Sequence, residues 1–191
     1  RDLAVAALGR WPRGHRWAAI TTEGAGFEDI AAEVRPRGDD AELLARADGF
    51  LFLGSAGWTA ARQAALTAAL RGRPRPLIVA NPDVVAPREI GLSLEPGHFA
   101  HEIAAATDII PEFFGKPYGN ALEAAVARIG PGVARARIAM VGDTLHTDVL
   151  GGLAAGTGTV LVAGHGLFRG LDPAPFVARS EIVPQVIVQT T

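Results

Sequence analysis

The chain of 191 residues has no cysteine, and its eighteen Lys and Arg residues include a single lysine, Lys116. Without cysteine, disulfide bonds, thiolate metal sites and cysteine nucleophiles are excluded. A net charge of −2 gives no basic surface for a nucleic acid, so we expect no nucleic-acid partner. Because the other seventeen of these residues are arginine, the lone lysine indicates a position at which arginine would not serve.

Long apolar runs and a targeting segment are also missing. The longest runs, such as residues 138–141 and 159–163, fall far short of the roughly 20 residues that span a bilayer, so we expect no membrane partner. No segment resembles a signal peptide, which favours a cytoplasmic location. The sequence begins with Arg1 and its only methionine is Met140, so we expect a longer protein to contain it.

The residues that are present are typical of a globular α/β protein, with 49% hydrophobic and 20% charged side chains. Short apolar runs alternate with segments whose apolar residues recur at helical spacing, as in a parallel sheet covered by helices. The predicted strands are residues 17–20, 50–53, 77–80, 138–141 and 159–163. The predicted helices are residues 59–70 and 118–129.

Two predicted strands, residues 138–141 and 159–163, are apolar without alternation. We expect both faces of these strands to be covered, as in central parallel strands. Ligands of open α/β sheets bind outside the carboxyl ends of the strands. The chemistry is therefore expected directly after them, at residues 142–144 and 164–166.

The strongest chemical signal is the segment of residues 140–156, MVGDTLHTDVLGGLAAG. Gly142 lets the backbone turn sharply, Asp143 presents a carboxylate at the sheet edge, and Asp148 follows on the first turn of the next helix. Two such carboxylates suit Mg²⁺, which takes one or two of them together with waters and phosphate oxygens. The alternative is ordinary capping, in which Asp148 is a helix N-terminal acid and Asp143 or Thr144 a cap.

Two shorter motifs also follow apolar strands. In FFGKP, residues 113–117, a glycine presents Lys116 before a helix, where a compact ammonium can neutralise a phosphate and a neighbouring carboxylate. The alternative is a solvated surface lysine. In ANPD, residues 80–83, Asn81 and Asp83 flank a proline, which by itself is ordinary turn chemistry.

In their order and approximate spacing, residues 80–83, 115–117 and 142–156 resemble the class IIA branch of the haloacid dehalogenase-like hydrolases, which includes p-nitrophenyl-phosphatase-like enzymes. The resemblance implies a Rossmann-like parallel-sheet core with a large inserted α/β cap. Residues 1–112 would be mostly cap, and residues 113–191 would be the C-terminal part of the core. The implied activity is Mg²⁺-dependent hydrolysis of a small phosphorylated metabolite through an aspartyl-phosphate intermediate.

The same resemblance implies roles for three residues of the core. Asp143 would ligate Mg²⁺, and Asp148 would hold the waters of the metal or complete its shell. Lys116 would steady the nucleophile and the transferring phosphoryl group.

Further implied roles concern the substrate and the cap. Asn81 and Asp83 would lie in the cap and bind substrate, and residues 84–97 would help to select it. His146 lies between the two motif acids and is expected to line the site. An exposed cap surface would be a contact for a homodimer.

One departure from the family pattern bears on activity. The family's nucleophile lies in an Asp-x-Asp-Gly motif that precedes the cap, and this motif is not in the sequence. Asp48 precedes its apolar run, so it cannot be presented at the carboxyl end of a strand, and we reject it as the nucleophile. We expect the nucleophile upstream of Arg1 and the given residues to be inactive alone. The alternative is a non-catalytic binding or regulatory protein that keeps the fold.

Overall fold

The computed structural model describes residues 1–21, 30, 33–36 and 41–191, and it divides into two compact units. The first unit comprises Arg1–Val85 and Ser93–Phe114, and the second comprises Ala86–Leu92 and Gly115–Thr191. No helix in these described ranges is long and apolar enough to cross a membrane.

Strands and helices alternate along most of the chain. The strands are β1 Arg16–Ile20, β2 Glu33–Pro36, β3 Gly49–Phe52, β4 Leu77–Val79, β5 Val85–Pro87, β6 Leu92–Leu94, β7 Glu112–Phe113, β8 Ala139–Gly142, β9 Gly158–Val162 and β10 Val186–Val188. The helices are α1 Asp2–Leu8, α2 Ala41–Arg46, α3 Ala60–Gly72, α4 Pro96–Ala106, α5 Gly119–Ile129, α6 Leu150–Ala154 and α7 Ala174–Ser180.

The first unit is built on a five-stranded sheet with the order β2-β1-β3-β4-β7, in which all neighbours are parallel. Both faces of this sheet are covered, because alternate residues of β3 enter different clusters. Phe50 and Phe52 pack in the cluster that includes Leu66 of α3, whereas Leu51 packs in the cluster that includes Trp17. Full burial of one such side chain contributes about 1.5–3 kcal/mol, so the two layers hold the sheet from both sides.

The second unit has a three-stranded parallel sheet with the order β10-β9-β8. Its core is smaller and lies between β9 and the segments that follow β8 and β9. The buried members are Leu145, Val149, Leu161, Ala163 and Phe168. Parallel strands in both sheets confirm the predicted α/β class.

Two helices follow the predicted signals closely. α3 begins after Thr59, whose side-chain oxygen accepts a hydrogen bond from the Arg62 backbone N–H and so caps the helix. α5 ends at Gly130, which has a φ of 95°. Glycine enters this region at little steric cost, so the helix stops where the sequence predicts.

Among the described residues, cover on both faces is seen for the second of the two apolar strands and not for the first. β8 pairs there with β9 alone, Ala139 is exposed and Val141 is 45% exposed. β9 lies between two strands, and its Thr159 and Leu161 are buried. An apolar run therefore predicted a strand correctly in both places, and a central position for residues 138–141 stays a prediction.

Candidate active site

An ion pair between Lys116 and Asp148 joins the two strongest sequence motifs. The Lys116 Nζ donates to Asp148 Oδ1 at 2.5 Å. The Asp148 side chain is 3% exposed, whereas that of Lys116 is 44% exposed. The second oxygen of Asp148, Oδ2, accepts a hydrogen bond of 3.1 Å from the Thr144 backbone N–H. Both carboxylate oxygens are thus held, and the ammonium stays accessible.

The loop that carries Lys116 is fixed by its neighbours in the sequence. Gly115 has a φ of 135°, a conformation that favours glycine. Its backbone N–H donates to Asn120 Oδ1 at 3.0 Å, and its carbonyl accepts from the Tyr118 N–H at 2.9 Å. Asn120 therefore ties the lysine loop to the first turn of α5, a role that was not predicted from the sequence.

Asp148 lies in a wide helical turn, Leu145–Val149, between β8 and α6. The Thr144 carbonyl accepts hydrogen bonds of 3.1 Å from the backbone N–H groups of both Asp148 and Val149. A Cβ placed on Gly142 would lie 2.2 Å from Asp148 Cγ. Glycine at position 142 thus makes room for the buried carboxylate, in addition to any role in the turn.

Asp143 follows β8 directly, as predicted, and its side chain is half-buried. A Cβ on Gly166, which has a φ of +60°, would lie only 1.5 Å from Asp143 Oδ2. Within the described part of the chain, no hydrogen bond or ion pair engages the Asp143 carboxylate. Gly166 therefore shapes the space beside a carboxylate that is available to a cation.

Asp143 and Asp148 are the carboxylates expected to hold Mg²⁺. The described residues contain no group of three or more His, Asp or Glu side chains arranged to hold a metal. Mg²⁺ does not require such a group, because it keeps several waters and is often bound through one or two carboxylates. Asp143 fits as a ligand, and Asp148 retains lone pairs for metal-bound water beyond the two hydrogen bonds that it accepts.

His146 is exposed and lines a mainly apolar groove of about 580 Å³ in the second unit. Phe168 and Phe176 line the same groove, as does Leu92 from the predicted substrate-selecting segment 84–97. His146 thus lies in the same turn as Asp148 and lines a space of ligand size. Its contact with substrate stays a prediction.

Asn81 and Asp83 lie in the first unit, where their contacts fix the start of α4. Asn81 Oδ1 accepts from the Asp83 backbone N–H at 3.2 Å, and Asn81 Nδ2 donates to Glu95 Oε2 at 3.2 Å. Gly97 donates from its N–H to the Asp83 carbonyl at 3.0 Å. These bonds favour the turn interpretation of the motif, and substrate binding by Asn81 and Asp83 stays a prediction.

Comparison with known proteins agrees with this geometry. The HAD-hydrolase-like family matches residues 113–183, which include Lys116, Asp143 and Asp148. A possible sugar phosphatase of the HAD superfamily from Cytophaga hutchinsonii has the same fold, with a TM-score of 0.82 over 99% of this chain and 69% of that one at 23% identity. Residues 113–183 are thus similar to the HAD-hydrolase-like family, and the chain shares the fold of this solved structure.

Two further relatives of this chain have more specific names. The dihydroxyacetone phosphatase of Corynebacterium glutamicum is 40% identical over 85 residues, 44% of this chain and 30% of the relative. The glycerol phosphate phosphatase of Mycobacterium tuberculosis, solved in complex with magnesium, is 28% identical with a TM-score of 0.68, over 97% of this chain and 54% of that one. The match thus spans less than a third of the length of the curated relative.

Proposed function

We propose that the protein is a Mg²⁺-dependent phosphomonoester hydrolase, with the first unit as its cap and the second as the C-terminal part of its core. The observation that carries the proposal is the half-exposed Lys116 ammonium held by the buried Asp148 carboxylate, close in sequence to the unpaired Asp143. An ammonium has three N–H donors. Only one of them has a partner among the described residues, so two can bind phosphate oxygens.

The two carboxylates have different tasks in this proposal. Asp148 is buried and accepts from both Lys116 and the Thr144 backbone, so it fixes the ammonium in place. Asp143 has no such partner in the described structure and would ligate Mg²⁺. When bound, the metal would neutralise charge on the phosphate oxygens.

The proposed reaction has two displacements at phosphorus. An aspartate oxygen forms a bond to phosphorus while the bond to the leaving alcohol breaks, and water then attacks the aspartyl phosphate to release inorganic phosphate. Lys116 would stabilise the charge on the transferred group in both steps. The attacking aspartate is not assigned to any residue of this sequence and would come from a preceding segment.

We propose a small phosphorylated polyol or sugar as the substrate. The names of the relatives support this class, because they refer to dihydroxyacetone, a sugar and glycerol phosphate. Residues 84–97 would contribute to selection, as Leu92 lines the groove that also contains His146. Dimerisation through the cap and a cytoplasmic location stay predictions.

The proposal is tested by comparing two aspartate variants of the protein as the cell makes it. Asp143→Asn removes the proposed ligand charge at nearly constant shape. Asp172→Asn is the matched control, because the exposed Asp172 side chain accepts, among the described residues, a single hydrogen bond of 3.0 Å from the Ala174 N–H. Turnover of p-nitrophenyl phosphate, glycerol phosphate and dihydroxyacetone phosphate is measured with and without Mg²⁺.

We expect Asp143→Asn to lower turnover by about 10²–10³-fold, as for the loss of other charge-stabilising groups, and the control to change it less than about twofold. Undiminished turnover in Asp143→Asn would contradict the role of Asp143. A wild-type protein that binds these phosphates without hydrolysing them would instead favour a non-catalytic binding protein.

A further inference from the structure

The backbone directly before Lys116 is held by a side chain from the helix that follows. Asn120 Oδ1 accepts a hydrogen bond of 3.0 Å from the Gly115 backbone N–H. Asn120 is the second residue of α5, and it bonds backwards to a residue five positions earlier, outside the helix. The bond is therefore not a helix cap, because the N–H that it satisfies belongs to the lysine loop.

A close approach of α6 holds the backbone directly after Lys116. A Cβ placed on Gly151 would lie 3.3 Å from Pro117 Cα, which is tighter than most contacts of a real Cβ. Gly151 is buried and belongs to α6, which follows the turn that carries Asp148. The lysine is thus held by Asn120 on one side and by α6 on the other.

These two anchors matter because the lysine side chain is long and flexible. The ammonium stands on a four-carbon stem, so the position of its charge depends on the backbone as well as on its partner. The partner, Asp148, has a side chain that is 3% exposed and that also accepts from the Thr144 N–H, so its position does not depend on the lysine alone. A shift of the loop would therefore move the ammonium relative to a fixed carboxylate.

We propose that Asn120 is a positioning residue, whose amide oxygen fixes the Lys116 ammonium between Asp148 and a bound phosphate. This inference rests on the proposed hydrolase function, in which Lys116 binds phosphate oxygens. In this role Asn120 acts through the Gly115 backbone and does not touch the phosphate. All of these residues lie in the second unit.

The test compares Asn120→Ala with Asn120→Asp in the protein as the cell makes it. Alanine removes the acceptor but has a higher helix propensity than asparagine, so α5 should persist. Aspartate keeps an oxygen in the same place, in the first turn of a helix, where a negative charge is favoured. Thr59→Ala is the matched control, because Thr59 Oγ1 also accepts from a backbone N–H at a helix start, that of Arg62, but in the first unit.

We expect Asn120→Ala to lower kcat for p-nitrophenyl phosphate about 10–100-fold, because a displacement of about 1 Å at a site has an effect of this size. The value of kcat should fall more than KM rises, since the charge that Lys116 stabilises grows in the transition state. Asn120→Asp should stay within about fivefold of the wild type and Thr59→Ala within about twofold. Thermal unfolding, followed by circular dichroism, shows whether each variant is folded.

A second readout follows the lysine without catalysis. The Cε and Nζ resonances of Lys116 in ¹³C,¹⁵N-labelled protein are identified by their loss in Lys116→Arg, and they are recorded with and without inorganic phosphate. We expect Asn120→Ala to shift these resonances and to weaken their response to phosphate. Asn120→Asp should restore the response, and Thr59→Ala should leave it unchanged.

Unchanged Lys116 resonances and phosphate response in Asn120→Ala would overturn the positioning role, as would equal losses of turnover in Asn120→Ala and Thr59→Ala. A wild type that hydrolyses no phosphomonoester would contradict the proposed function, whereas shifted Lys116 resonances in Asn120→Ala would still support positioning by Asn120. If Asn120→Ala does not fold, Asn120→Gln takes its place with the same expected result, because it keeps the amide but moves the oxygen by one methylene.

Discussion

Arg75 of the first unit and Lys116 of the second both lie against buried polar groups, but they use their N–H donors differently. Arg75 is 7% exposed, and its guanidinium donates at 2.6–3.0 Å to backbone carbonyls, those of Leu44, Ala47, Ala69 and Arg73. Lys116 is half-exposed and, within the described residues, donates to Asp148 alone. A cation saturated by carbonyls holds the fold, whereas one with unused donors is available to a ligand.

The environments of the two cations follow from their chemistry. The planar fork of arginine presents five N–H donors in fixed directions, which matches several carbonyls at the end of a helix and a loop. The guanidinium carbon of Arg75, Cζ, lies 4.8 Å from the centre of the Phe50 ring, so a cation–π contact adds to the hydrogen bonds. A lysine ammonium is a compact charge on a flexible stem and can be shared between a carboxylate and a phosphate.

The largest expected effect on stability is that of Arg75→Lys. One ammonium cannot reach all four carbonyls, and each buried carbonyl left unpaired costs about 1–3 kcal/mol. The carbonyls of Ala47 and Ala69 keep hydrogen bonds from Arg73, so the loss falls on those of Leu44 and Arg73. We expect the free energy of unfolding of the first unit to fall by about 2–4 kcal/mol. Urea unfolding followed by tryptophan fluorescence measures this unit, because Trp11, Trp17 and Trp58 all lie in it.

The control for Arg75→Lys is Arg46→Lys. Arg46 forms an exposed pair with Glu42 one helical turn away, with 66% and 70% of the side chains accessible. Such a pair contributes about 0.3–0.5 kcal/mol, so this variant should unfold almost like the wild type. Equal stabilities of the two variants would contradict a structural role for Arg75.

Two glycines of the second unit allow the effect of displacing Asp143 to be distinguished from the effect of backbone strain. Gly166 and Gly170 have φ values of +60° and +78°, so alanine strains the chain at both. Only at Gly166 does the new Cβ meet Asp143. If the protein is the proposed hydrolase, Gly166→Ala should lower turnover about 100-fold, because a displacement of about 1 Å at a site has that effect.

Gly170→Ala is the matched variant and should retain turnover within about threefold, since its Cβ meets no atom within 4 Å. Thermal unfolding of the two variants should be similar. Equal loss of turnover in both would show that backbone strain, and not the position of Asp143, controls activity.

The smallest expected effect concerns Asp48 in the first unit. Hydrogen bonds from Arg16, at 2.9 and 3.2 Å, hold the pKa of the Asp48 carboxyl well below its ordinary value of 3.8. A group with a lowered folded-state pKa stabilises the fold fully above the unfolded pKa, and this stabilisation is lost as the pH falls through the folded-state pKa. The contribution is present at neutral pH and decreases only in acid.

We therefore expect Asp48→Asn to lower the free energy of unfolding by about 1 kcal/mol at pH 7, because these partly exposed charges are screened by solvent. The difference from the wild type should shrink below pH 4. Urea unfolding at pH 7, 5 and 3.5 measures it, with the exposed Asp108→Asn as control. A difference that grows in acid would have the wrong sign for this account.

The sequence was sufficient for features that depend on neighbouring residues. Apolar runs placed five strands within one residue of their observed ends, and Gly130 marked the end of α5. It was insufficient for features that depend on distant contacts. Nothing local shows that Gly166 must leave room for Asp143.

The same limit applies to the candidate site. The spacing of Asp143 and Asp148 predicted a carboxylate on the first turn of a helix, and the observed turn, Leu145–Val149, is wider than an α-helical turn. The role of Asn120 in holding the Gly115 loop was missed, although an asparagine near a helix start is a recognised signal for such a bond. The roles of Lys116, Asp143, Asp148 and His146 in catalysis or binding stay predictions.

The most direct test of the proposed function is a pair of variants, Lys116→Arg and Arg75→Lys, in the protein as the cell makes it. We predict that Lys116→Arg lowers kcat/KM for Mg²⁺-dependent hydrolysis of p-nitrophenyl phosphate at least about 100-fold while stability changes little, because the arginine fork cannot replace the compact ammonium beside Asp148. Arg75→Lys should keep kcat/KM per folded molecule. A Lys116→Arg enzyme within about threefold of the wild type would contradict the claim.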